Sequence, residues 1–315
     1  MRQIVSLERF FLIAHILTMI FGLAGLLIVL PHPELIAGLL ESGQTIFELS
    51  MAGGGVSYII FGTLAVALYA YRTLGLWKWL TFMIPAAVIS LSSELLGTST
   101  GFPFGEYGYL SGLGYKVAGL VPFTIPLSWF YMGFVCYLIA RVAMDKTSKN
   151  DKKVSWLGYG GAIALGAILL TSWDFALDPA MSRTIYPFWH YGQEGAFFGT
   201  PYQNFFGWTI TGAVFMTVAA LFWQRKPVVL SRKQLRLPLA IYLSNITYSA
   251  VMAIAGAGLW IPVGLSVLLG VVPILVLWWM AGGIVSPSRS PQTEDSRANN
   301  QATNKVPVAP SRSNA

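Results

Sequence analysis

The sequence predicts an all-α, polytopic integral membrane helical bundle of about eight transmembrane helices with both termini cytoplasmic, and three observations carry that prediction. Of the 315 residues, 55% are hydrophobic and only 10% charged, and the mean hydropathy is +0.62, beyond what a water-exposed surface tolerates. Apolar runs of about 20 residues, the length that crosses the hydrocarbon layer, recur along most of the chain. The basic residues fall between those runs and favour alternate loops.

Taken in order, the runs lie near residues 10 to 30, 51 to 71, 76 to 97, 120 to 141, 154 to 177, 205 to 224, 237 to 255 and 260 to 285. The first is too long for the apolar part of a signal peptide and no small-residue cleavage site follows it, so it is expected to stay as an anchor. The N-terminus, the three even-numbered loops and the C-terminal tail hold 2, 2, 5, 5 and 4 Lys and Arg, while the odd-numbered loops hold 0, 1, 1 and 0. Missing one span would scramble this alternation downstream, and no scrambling occurs. Orientation thus accounts for the formal charge of +7 without any nucleic-acid partner. Residues 1–285 are expected to form the membrane domain. Residues 286–315, rich in Ser, Pro, Asn and Gln, read as a disordered cytoplasmic tail, since such a composition buries too little apolar surface to offset its ordering entropy. The single cysteine, Cys136, lies in an apolar run and reads as helix packing. Gly53 to Gly55 begin a span and read the same way.

Ionisable residues inside spans are costly and therefore informative; those singled out are His15, Glu94, Asp174 and, at a helix end, Asp178. Glu94 lies near the outer end of span three in SSELLGTSTGFPFGEYGY, and the two aspartates close span five in TSWDFALDPAMSRTIYPFWHYGQEGAFFGTPYQNFFGW. All three carboxylates map to the non-cytoplasmic face. Asp174 and Asp178 are four residues apart and share a helix face with Thr171. Pro179 disfavours helical geometry at Asp178, so the helix is predicted to stop there with its negative dipole end toward the carboxylates. Like charge, dipole and partial burial together predict that one of the pair holds a proton near neutral pH, as a general acid requires. The plainer reading is that each acid caps backbone amides or pairs with Arg183; for the three together, function is favoured.

His15 reads as a hydrogen-bonded core residue. His190, in PFWHYGQEG beside Trp189 and Tyr191, could sit in a site at the membrane surface. Asn204 could position water or cap its helix. Trp77, Trp79, Trp278 and Trp279 read as interface belts. Three scattered histidines offer no di-iron box and no haem ligand pair, no glycine-rich phosphate motif is present, and no Lys sits mid-span for a retinal Schiff base. No metal site or cofactor is expected.

The motifs GTSTGFPFGEYGY after Glu94, and DFALDP followed by FFGTPYQNFFGW, resemble those of the carotenoid biosynthesis membrane proteins, a family that includes cyanobacterial γ-carotene 1'-hydroxylases and haloarchaeal bisanhydrobacterioruberin hydratases. The likeness runs from about Leu7 to Val285. It implies a carotenoid 1',2'-hydratase that adds water to the terminal double bond of an acyclic ψ-end, of γ-carotene or lycopene type, on the way to myxol-type glycosides in a plasma or thylakoid membrane. The partners are then a membrane-dissolved carotenoid, water and, next in sequence, a glycosyltransferase. Under this reading Asp174 or Asp178 protonates C2', Glu94 or the other Asp activates water, Asn204, Tyr107 and His190 orient it, and Phe102, Phe104, Trp173 and Trp208 shield the cation. Two rivals stand beside it. One is an intramembrane prenyltransferase-like enzyme using Asp174 and Asp178 for Mg²⁺ and pyrophosphate; the other is a proton-coupled transporter or carotenoid-binding membrane protein.

Overall fold

The computed structural model describes residues 2–147, 156–223 and 227–281; the predicted tail at 286–315 lies outside them. Helix α1 (Arg2–Ala24) runs into a π-helical turn, Gly25–Val29, and short α2 (Pro33–Ala37) precedes α3 (Glu41–Thr100). Then follow α4 (Thr124–Thr147), α5 (Trp156–Arg183) and α6 (Tyr202–Trp223). Helix α7 (Arg236–Val251) continues as a π turn, Met252–Gly256, and α8 (Trp260–Ser266) joins α9 (Val272–Ala281) through another, Val267–Val271. Among the described residues, seven helical stretches are long and apolar enough to cross a membrane: Arg2–Val29, Gly53–Thr100, Thr124–Asp145, Trp156–Arg183, Tyr202–Trp223, Arg236–Gly256 and Trp260–Ala281.

The second of these contains two of the predicted runs. A straight helix would hold Tyr58 and Glu94 about 54 Å apart at 1.5 Å per residue, yet both line one cavity. The chain therefore turns back between them, at Gly75, where φ is 83° and ψ 167°, a conformation open essentially to glycine. The two halves of α3 lie side by side as a helical hairpin. The stretch between the first two predicted runs, residues 31 to 50, holds α2 and the start of α3, which begins at Glu41.

Side-chain contacts gather the basic segments at one end of the bundle. Arg72, next to the Gly75 turn, pairs with Glu8 at the start of α1, its Nη2 donating to Oε2 at 2.8 Å. Trp223 at the end of α6 donates to the Lys78 carbonyl (3.0 Å). Arg141 and Asp145, both buried on α4, pair at 2.8 Å, and the Asp145 carboxylate accepts the Val228 N–H at 2.7 Å. Arg232 donates to the Trp279 carbonyl (2.6 Å). These are the segments that the charge count assigns to one side.

Helix α4 is the axis of the bundle, its residues from Trp129 to Ala143 all buried, Cys136 among them. His15 is the core histidine expected: Nδ1–H donates to the Tyr58 carbonyl (2.7 Å) and Nε2 accepts from Asn245 (3.0 Å), whose Oδ1 accepts the Tyr131 hydroxyl (2.9 Å). Of the predicted belt tryptophans, Trp77 and Trp279 are exposed while Trp79 and Trp278 are half-buried. The glycine run divides. A Cβ at Gly55 would lie 2.3 Å from the Gly112 carbonyl oxygen, so Gly55 is indeed packing, but at Gly53 and Gly54 nothing lies within 4 Å.

Because a Cβ at Gly75 would also meet nothing within 4 Å, Gly75→Ala should cost only its backbone strain, about 1–3 kcal/mol. Gly53→Ala should cost nothing comparable. Denaturant unfolding of the detergent-solubilised protein compares the two.

Candidate functional site

At the end of the bundle opposite the basic segments, the two loops singled out in the sequence meet. Strand β1 (Tyr107–Tyr109) pairs antiparallel with a later strand, Trp189–Tyr191, in the register Tyr107 to Tyr191, Gly108 to His190 and Tyr109 to Trp189. A second ladder, Lys116–Val117 with Val121–Pro122, lies between them in sequence, so the four strands are β1 to β4 in chain order. Alternate strand residues point to opposite faces. Tyr107, Tyr109, Trp189 and Tyr191 therefore share the face toward the helices, and Gly108 and His190 take the other.

That inner face supplies hydrogen-bond donors to buried carboxyl groups. Glu94 Oε2 accepts the hydroxyls of Tyr107 and Tyr109 (2.9 Å for Tyr109), and Oε1 accepts Trp129 Nε1–H at 2.9 Å. Asp178 accepts three donors: Trp189 Nε1–H on Oδ1, and the Tyr191 hydroxyl and Asn204 Nδ2 on Oδ2. Asn204 Nδ2 also donates to Asp174 Oδ2 (2.7 Å), so one amide ties the two aspartates together. Asp174 Oδ1 is buried and has no hydrogen-bond partner among the described residues. Burial and the adjacent Glu94 carboxylate hold the Tyr107 and Tyr109 phenols well above their ordinary pKa, and burial with Asp178 does the same for Tyr191. These phenols remain donors throughout the physiological range.

Glu94, Asp174, Asp178 and Asn204 line one cavity of about 60 Å³. A water needs about 10–15 Å³ on this measure, so a few waters fit. The remaining wall is largely aromatic. Trp129 stacks on Trp208 with centroids 4.2 Å apart, and Trp173 meets Trp208 edge-on at 5.8 Å. Phe104 is wedged between α3 and α6, where a Cβ on Gly97 or Gly207 would come within 2.7 or 2.4 Å of its ring. No Lys or Arg is among the lining residues.

Several expectations are corrected. His190 points away from the cavity, because it alternates with Trp189 and Tyr191; it is exposed, over Gly108. Phe102 is exposed at 63% and lines no part of the cavity. Helix α5 does not stop at Asp178 but continues through Pro179 to Arg183. Three donors and full burial hold Asp178 in the helix against its local bias, and the helix end lies more than a turn beyond the carboxylates, too far for the dipole argument. Thr171 does share the α6-facing side with the two aspartates, where it bonds Thr209 (2.9 Å) and lies outside the cavity lining. Asn204 spends its amide on the two aspartates. Arg183 does not neutralise the aspartates; it pairs with Glu194 at 2.7 Å. Glu94, Asp174, Asp178, Asn204, Tyr107, Phe104, Trp173 and Trp208 do converge.

Trp129, Tyr109, Trp189 and Tyr191 were not among the residues picked from the sequence. For the last three, the alternation in Tyr-Gly-Tyr and Trp-His-Tyr is the signal. Trp129 lies inside an apolar run and carries none.

A family model described as carotenoid biosynthesis protein matches residues 54–273, which takes in both outer loops and every residue of the cavity. The chain belongs to the carotenoid biosynthesis protein family. This is the family that the two outer motifs resemble. A bisanhydrobacterioruberin hydratase from Haloarcula japonica is 29% identical over 192 residues, a stretch that covers 60% of this chain and 60% of the relative. No solved structure matches the chain. In this carotenoid biosynthesis protein, then, the family motifs are the segments that build and close the carboxyl cavity.

Removing a donor from a buried carboxylate costs about 1.5–3 kcal/mol. Tyr107→Phe and Tyr191→Phe should each show that loss in denaturant unfolding, while His190→Ala, on the exposed face, should change stability by less than about 0.5 kcal/mol.

Proposed function

We propose that this protein is a carotenoid 1',2'-hydratase that adds water across the terminal double bond of an acyclic ψ-end, of γ-carotene or lycopene type, by acid–base chemistry without a cofactor. The observation that carries the reading is the cavity itself: three carboxyl groups, aromatic walls, room for water and no basic side chain in the lining. Acid-catalysed hydration of an alkene needs a proton donor, an anionic and aromatic environment for a tertiary cation, and a water molecule.

The hydrogen-bond pattern supports a division of roles. Ionised carboxylates are pure acceptors, whereas a protonated one keeps an O–H to donate. Asp178 and Glu94 each collect three donors, the pattern of carboxylates. Asp174 receives one, and its Oδ1 is unpartnered at the cavity wall. Asp174 is therefore the acid: its proton goes to C2', the π electrons form the new C–H bond, and C1' is left as a tertiary cation. The faces of Trp129, Trp173 and Trp208 and the negative charge of Glu94 stabilise that cation. Water adds at C1' and gives a proton to Asp178, and exchange across the Asn204-bridged pair returns it to Asp174. The product is the 1'-hydroxy carotenoid. In the membrane we place eight spans, with the Gly75 turn and both termini cytoplasmic and the carboxyl cavity toward the opposite face.

The prenyltransferase-like alternative asks the same aspartates to hold Mg²⁺ and pyrophosphate. It has no basic lining residue to meet the diphosphate, and among the described residues no three His, Cys, Asp or Glu side chains gather closely enough to hold a metal ion.

Expression in a bacterium accumulating lycopene or γ-carotene, grown in ¹⁸O-labelled water under air, should yield a pigment heavier by one water and carrying ¹⁸O. Asp174→Asn should lower product formation by about 100-fold or more, the usual contribution of a positioned acid. Unchanged pigment with verified membrane insertion would instead support the transport or carotenoid-binding reading.

A further inference from the structure

The carboxyl cavity, at about 60 Å³, is too small for a C40 chain, so a polyene substrate has to leave most of its length elsewhere. A second, larger cavity of about 280 Å³ adjoins it. This groove runs from Thr18 to Val29 along α1 and its π turn, and from Gly43 to Tyr58 along α3, about 16 Å and about 22 Å of helix at 1.5 Å per residue. It shares Tyr58, Phe188 and Tyr248 with the carboxyl cavity. The rings of Tyr58 and Tyr248 lie 5.5 Å apart at that junction.

The groove lining is largely apolar, and its larger hydroxyls are those of Tyr58, Tyr186 and Tyr248, the first and last of them at the junction. Of its two small hydroxyl residues, Thr18 donates to the Ala14 carbonyl (2.7 Å) and Ser50 to the Ile46 carbonyl (2.7 Å), each within its own helix. Its width comes from glycines. A Cβ on Gly25 or Gly54 would meet nothing within 4 Å, so neither glycine is there to let helices touch, and the space beside each is left open.

We infer that this groove is the berth of the polyene body of the substrate, and that Tyr58, Tyr248 and Phe188 form the threshold across which its ψ-end enters the carboxyl cavity. The inference rests on the carotenoid reading above for the identity of the guest. Its observational support is separate: a long apolar groove, kept open by unpacked glycines, that ends on the wall of the site. Groove length then contributes to choosing linear substrates, because a rigid rod seated along α1 brings only its terminus past the threshold.

Two leucine substitutions intrude into the groove from positions where the Cβ itself meets nothing within 4 Å, Gly25→Leu and Gly54→Leu. Gly160→Leu is the control, since Gly160 is exposed on α5 at the far end and its Cβ would also meet nothing within 4 Å. Each full-length protein would be purified in detergent from lycopene-accumulating cells, and bound pigment measured by absorbance alongside hydrated product. The wild type and Gly160→Leu should carry lycopene, and both groove variants should lose about tenfold or more of it, with product falling in step at limiting pigment. Equal pigment and product in the groove variants and the wild type would overturn the berth and leave hydration standing. Bound pigment that is lost in the variants, with no hydration by the wild type, would keep the berth and remove the hydratase reading. A wild type that carries phospholipid and no pigment would make the groove a lipid site and overturn the inference.

Discussion

Three carboxyl groups enclosed at one end of a membrane bundle, with no basic side chain in the cavity lining, have to be satisfied by neutral donors, and much of the outer structure follows from that requirement. Six of the donor bonds come from Tyr107, Tyr109, Trp129, Trp189, Tyr191 and Asn204. Four of them, Tyr107, Tyr109, Trp189 and Tyr191, reach Glu94 and Asp178 because one short β-ladder brings two distant loops together with their aromatic residues on the same face, while Trp129 and Asn204 reach in from α4 and α6. Unpaired buried charge is expensive, so the ladder and the carboxyls hold each other in place. Of the six carboxyl oxygens of Glu94, Asp174 and Asp178, Asp174 Oδ1 is the one without a partner among the described residues.

The opposite end solves the same problem differently. There the acids are neutralised by ion pairs, Glu8 with Arg72 and Asp145 with Arg141, and these pairs tie helix ends together where the basic residues of the chain already lie. A carboxylate matched by a guanidinium has its charge balanced by a fixed opposite charge. Those in the cavity are met by phenols, indoles and an amide, which carry no charge.

Packing glycines and open glycines also part company. Gly97, Gly207 and Gly55 are positions where a side chain would collide, with Phe104 in the first two cases and with the Gly112 backbone in the third. Gly25 and Gly54 face empty space. In sequence the two kinds look alike, and they serve opposite ends: Gly97 and Gly207 close on Phe104 of the carboxyl cavity and Gly55 on the Gly112 backbone, while Gly25 and Gly54 leave room beside them.

Hydrophobic run length and basic-residue placement determined the helical membrane class, the positions of the apolar segments and the grouping of charges at one end, because those properties depend on local composition matched to a bilayer. They also marked Glu94, Asp174, Asp178 and Asn204, since acids and amides in apolar surroundings are conspicuous wherever the chain leads. The tertiary structure alone decided that Asp178 stays helical before Pro179, that Arg183 turns to Glu194, and that Trp129 reaches Glu94. Each of those outcomes depends on a partner far away in sequence. Burial and donor bonds from that partner outweigh the local preference of a residue, and no short window of sequence contains them.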